Sequence, residues 1–139
     1  MKETNVLEEI SRKLKIQYQN IANVLVDLSP DGWDKIYFLG RVYEKSYIAD
    51  YGIKIAGNFE NKEKYFDFFD EEISSRFNDS LKALEEMENI FEEFNQELFS
   101  EFSLILNKNN EAEMKYYYEK IEEGNYFYKR FENWIKEKI

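Results

Sequence analysis

Apolar residues recur at helical spacing along three stretches of this chain and gather in four shorter stretches that read as strands, the last of them alternating apolar with polar. The longest helical stripe is Phe69, Ile73, Phe77, Leu81, Leu84, Phe91, Phe94 and Leu98. A helix carrying all of it would run roughly 45 Å, with Asn95-Gln96 as the expected stop. On its opposite face Glu72, Asp79, Glu86 and Glu93 follow one another every seven residues. Seven residues is nearly two turns, so the four carboxylates line up roughly 10.5 Å apart. Glu85, Glu88, Glu92 and Glu97 flank the row. One face is thus predicted to build the core while the other presents fixed negative charge.

An earlier stripe, Leu7, Ile10, Leu14, Tyr18, Ile21, Leu25 and Leu28, predicts a first helix. Thr4 or Asn5 would cap its start, and Glu8 and Glu9 would favour the dipole of its first turn. Ser29-Pro30-Asp31-Gly32 ends it, because proline disfavours a helical residue before it.

From Trp33 to Ala56 aromatic and β-branched residues dominate, and two strands fit, turning near Glu44-Lys45-Ser46. Gly40 and Gly52 lie inside them and mark bulges or close backbone approaches. Asn58 to Lys64 reads as a polar loop.

After the acidic helix, Phe99 to Leu106 reads as a strand with Phe102, Leu104 and Leu106 on one side. Asn107-Lys108-Asn109-Asn110 is a turn of residues that tolerate left-handed backbone. Beyond it Ala112, Met114, Tyr116 and Tyr118 alternate with Glu113, Lys115, Tyr117 and Glu119 as the second arm of a hairpin. Phe127, Phe131, Trp134, Ile135 and Ile139 form a short terminal stripe. The expected fold is one α+β domain over residues 1–139. An antiparallel sheet of about four strands would pack with two long helices and a short C-terminal helix.

Composition sharpens this picture in one place. Of the net charge of −10, all falls between Phe59 and Glu101, where 14 acids face four bases; the rest of the chain balances. Such a surface repels phosphate backbones, so direct nucleic-acid binding is not expected, whereas a basic protein would be attracted. The aromatic content, 18 %, is that of a folded chain rather than a disordered one. No apolar run approaches membrane-spanning length and no signal-peptide core follows Met1, so the cytoplasm is the expected compartment and no membrane partner is expected.

Histidine and cysteine are both absent. That removes the commonest general base, the thiol nucleophile and the usual zinc ligands, so neither catalysis nor a metal or other cofactor is expected. Asp67, Asp70, Glu71 and Glu72 are dense enough to suggest calcium but lack the EF-hand spacing and its glycine. Asp70 to Glu72 fit better as the start of the acidic helix. Tyr116-Tyr117-Tyr118 is the other notable cluster; in an alternating strand Tyr117 points away from its neighbours, which core packing claims. Glu72, Asp79, Glu86, Glu93 and Tyr117 are therefore the candidate partner-binding residues, although a charge row is equally what a solvated helix face looks like.

Three blocks carry a family resemblance: YQNIANVLVDLSPDGWDKIYFLGRV (Tyr18 to Val42), MKYYYEKI (Met114 to Ile121) and YKRFENWIK (Tyr128 to Lys136). In their order and spacing the chain resembles the YezG-type immunity proteins, bacterial antitoxins of Gram-positive polymorphic toxin systems. The terminal block shares the family's arginine ahead of a tryptophan. This chain departs from the pattern at Asn95-Gln96, where a glycine is expected, and at its Asn107 to Asn110 turn. The resemblance implies a small cytoplasmic protein that binds and neutralises a cognate toxin, often a nuclease exported by type VII secretion. Two other readings stand beside it: a non-enzymatic adaptor or homo-oligomeric interaction module with no toxin partner, and a hydrolase built on two carboxylates.

Overall fold

The computed structural model describes residues 2–60, 67, 69–109, 111–122 and 124–139. In chain order the elements are α1 (Lys2–Leu28), β1 (Trp33–Tyr43), β2 (Ser46–Ile55), β3 (Asn58–Glu60), α2 (Glu71–Glu93), β4 (Glu101–Asn107), β5 (Ala112–Tyr117) and α3 (Phe127–Lys138). The strands form one antiparallel sheet in the order β3-β2-β1-β4-β5. This is the expected α+β fold, with a fifth strand. The extra one, β3, arises where a polar loop was expected; Phe59 there sits opposite Lys54 and packs onto Tyr37. The remainder of that loop, 61–64, lies outside the described residues.

Strand alternation divides the sheet into two faces. Ile36, Phe38, Val42, Tyr51, Ile53, Phe102, Leu104 and Leu106 point to α1 and α2 and share one core with Ile21, Leu25, Leu84, Met87 and Phe91. Tyr37, Leu39 and Ile105 point the other way and meet Phe127, Trp134 and Ile135 of α3. The two long helices lie side by side and antiparallel, since Lys13 meets Glu93 at one end and Asp27 meets Arg76 at the other. The expected close approaches at the strand glycines are present. A Cβ on Gly40 would stand 2.7 Å from Leu84 Cδ1, and one on Gly52 would stand 2.3 Å from Phe59 Cζ. The sheet's one irregularity lies elsewhere, between Trp33 and Lys35.

Three expectations need correction. First, α1 begins at Lys2, so Asn5 sits within the helix rather than capping it. Second, α2 is 23 residues long, about 34 Å, and neither end of its predicted stripe belongs to it. The Asp70 carboxylate accepts the amides of Glu72 (2.9 Å) and Ile73 (3.3 Å), which starts the helix at Glu71. Phe69 is left in the preceding turn, 96 % exposed, and Leu98 lies past the end, also exposed. Asn95 stops the helix with a positive φ of 54°. Third, Glu88 does not join the exposed acidic face. It is only 3 % exposed and accepts a hydrogen bond from the Tyr47 hydroxyl of β2.

Candidate partner-binding surfaces

The acidic row on α2 is real as a geometric feature. Glu72, Glu86 and Glu93 are exposed and Asp79 is half-buried, and the last three of the row meet α1. Asp79 and Glu86 line an open cleft of about 530 Å³ between the helices, with Gln17, Asn20, Arg76 and Lys82. Glu72 and Asp79 line a second cleft nearer the helix start, beside Arg76.

Two members of the row are already in ion pairs. Asp79 pairs with Arg76 (3.0 Å) and Lys82 (3.8 Å), and Glu93 pairs with Lys13 of α1 (3.1 Å). Arg76 also reaches Asp27 on α1 at 2.6 Å, and its guanidinium is held above its ordinary pKa, first by Asp27 and then by Asp79. These contacts clamp the helices together while leaving an excess of carboxylate. Along α2 eight acids face two bases.

The C-terminal end of α2 carries Glu88, Glu92 and Glu93 and no base in its last turn, the unfavourable arrangement for the helix dipole. Relief comes from other elements. Lys13 covers Glu93, and Lys45 reaches Glu92 (2.6 Å) and Glu88 (3.5 Å) from the β1–β2 turn. That turn places Glu44 and Lys45 at positive φ, 47° and 64°, where Asn-Gly is the usual pair. Lys45 has its pKa raised, chiefly by Glu92. The Tyr47 hydroxyl is pushed upward by burial first and by Glu88 second.

Tyr117, the remaining candidate, sits on the α3 face of the sheet and is half-buried. Its hydroxyl oxygen accepts from Trp134 Nε1 (3.2 Å) and hydrogen-bonds the Ser103 hydroxyl (3.4 Å). Arg130 and Lys115 lie over its ring. The structure therefore does not bring Tyr117 together with the acidic row; the sheet stands between them.

Beside Tyr117 lies a buried ionic cluster that periodicity did not reveal. Glu101 accepts from Arg41 Nε (3.2 Å) and Nη2 (2.9 Å) on one oxygen and from Arg130 Nε (2.9 Å) on the other. Arg41 also donates Nη1 to the Asn125 carbonyl (2.8 Å) and stacks over Phe127. Arg41 and Glu101 are register partners on adjacent strands, and each is 6 % exposed. Both ends of the linkage are thus set: β1 and β4 hold the carboxylate, and α3 docks on it. Docking places Tyr126 and Tyr128, 75 % and 71 % exposed, at the sheet end that also bears exposed Tyr43 and Ile48. The one sequence signal for this cluster was the terminal arginine ahead of a tryptophan.

The Asp70 carboxylate caps a helix, Asp67 accepts the Phe69 amide, and Glu101 is saturated by arginines. Among the described residues no group of three or more acids is placed to hold a metal ion. Nor, among them, is any helix long and apolar enough to cross a membrane.

No curated protein matches the chain. The immunity protein YezG-like family does, over residues 14–139, which takes in α1 from Leu14 onward, α2, the whole sheet and α3. With nine-tenths of its length matched, the chain belongs to the YezG-like family of immunity proteins.

Proposed function

We propose that this protein neutralises a cognate secreted toxin, a nuclease of a type VII system, by stoichiometric binding in the cytoplasm, without catalysing a reaction itself. Membership of an immunity-protein family supports the antitoxin role. The observation that carries the choice of toxin class is the one-sided acidity of α2, eight acids against two bases on a helix with an open face. Nucleases keep a basic cleft for phosphate, and an acidic helix complements such a cleft. In this reading Glu72, Asp79, Glu86 and Glu93 steer the approach and the clefts beside them receive the partner's lysines or arginines. Tyr117 is hydrogen-bonded inside and covered by Arg130 and Lys115, which leaves it little for a partner.

The test is association kinetics with the cognate toxin domain, across ionic strengths. One exposed pair is worth about 0–1 kcal/mol, so a single acid removed should change little. Reversing Glu72, Asp79, Glu86 and Glu93 together to lysine should slow association markedly at low salt and much less at high salt. Equal rates at low salt would reduce the row to a solvated face.

A further inference from the structure

The sheet ends in β5, whose outer edge has no partner strand among the described residues. Which backbone groups face outward follows from its pairing with β4. The Asn107 amide donates to the Glu111 carbonyl at 2.9 Å, and the register continues Ile105↔Glu113 and Ser103↔Lys115. In an antiparallel ladder hydrogen-bonded pairs alternate, so Glu111, Glu113 and Lys115 turn their N–H and C=O inward to β4. Ala112, Met114 and Tyr116 therefore present theirs to the free edge.

We propose that this edge pairs with the same edge of a second copy of the chain, β5 against β5, about a two-fold axis at Met114. This goes beyond the antitoxin reading and does not depend on it. Charge complementarity selects both the occupant and the register. With Met114 opposite its own copy, Ala112 faces Tyr116 of the second copy in hydrogen-bonded pairs. Glu113 then faces Lys115 across the axis, twice by symmetry, in the closer non-hydrogen-bonded positions. Shifting the axis by one residue either way sets Glu113 or Lys115 against itself, which is unfavourable. Both side chains are exposed, and Lys115 lies folded over the Tyr117 ring at 4.9 Å, on the face where Glu113 of the second copy would arrive. Met114, 44 % exposed on the opposite face, would meet its copy and lose contact with water.

The experiment is sedimentation velocity on the full chain at rising concentration. The parent should form a concentration-dependent dimer. Lys115→Glu and Glu113→Lys each convert both cross-strand pairs to like charges, and each should weaken the dimer by at least roughly tenfold. An equimolar mixture of the two variants restores every opposite-charge pair and should dimerise like the parent. Met114→Pro removes an outward amide without touching the β4 ladder and should leave a monomer, with circular dichroism confirming the fold. A parent that stays monomeric throughout would overturn the proposal. So would single variants that associate like the parent, or a mixture that fails to recover.

Discussion

Removing the Glu101 carboxylate perturbs the molecule where two faces of the fold are joined. In Glu101→Ala the Arg41 guanidinium, on a residue 6 % exposed, loses two hydrogen bonds and its counter-ion, keeping the Asn125 carbonyl. Arg130 loses its 2.9 Å contact as well. Breaking a buried pair from one side costs about 3–5 kcal/mol, because a desolvated charge remains. Against a typical domain stability of about 5–15 kcal/mol that is a large fraction. Urea unfolding followed by the fluorescence of buried Trp134 gives the value, and hydrogen exchange should show α3 opening before the sheet. The paired replacement Arg41→Met with Glu101→Leu leaves no buried unpaired charge on the strands and should recover at least half the loss. The reasoning fails if Glu101→Ala lies within about 1 kcal/mol of the parent, or if the double replacement is worse than the single one.

Two further outcomes follow from packing and from titration. Phe91, 6 % exposed and in ring contact with Phe99 and Tyr116, should cost about 3–5 kcal/mol when replaced by alanine, measured by urea unfolding, while Phe69→Ala should stay within about 0.5 kcal/mol. Burial pushes the Tyr51 hydroxyl from 10.0 up to about 12, so the folded state keeps a proton that the unfolded chain releases. That contribution is intact below about pH 10 and lost as pH climbs toward 12, about 3 kcal/mol in all; Tyr18, Tyr47 and Tyr116 shift the same way and steepen the fall. Thermal melts between neutral pH and pH 12 should show the decline, less steep in Tyr51→Phe, and a flat profile would refute it.

Periodicity carried most of the architecture. The helix stripes and the hairpin alternation are legible because each side chain's direction depends only on local backbone geometry, whereas the placing of α3 on the sheet face opposite α1 and α2 is not. The helix ends were less so: Phe69 fits the stripe in spacing, but the Asp70 cap decides where the helix starts. Glu88 departs from the exposed face because α2 packs against both the sheet and α1, which widens its buried arc to Ser80, Ala83, Leu84, Met87, Glu88, Ile90 and Phe91. The Arg41–Glu101–Arg130 cluster leaves no periodic signal for a different reason. Its first two members are 60 residues apart and become neighbours only through strand register. The acidic row's spacing needed only the helical repeat, but the half-burial of Asp79 and the engagement of the row by Lys13, Arg76 and Lys82 depended on the tertiary fold.

The central claim is stoichiometric neutralisation of a toxin, and titration of the toxin's activity tests it most directly. The cognate toxin domain, a nuclease in the proposed function, is mixed with increasing amounts of the protein and digestion of plasmid DNA is followed. The account predicts activity falling linearly to zero at a one-to-one ratio, with the DNA itself left unbound by the protein. Full activity at a large excess of this protein would contradict it.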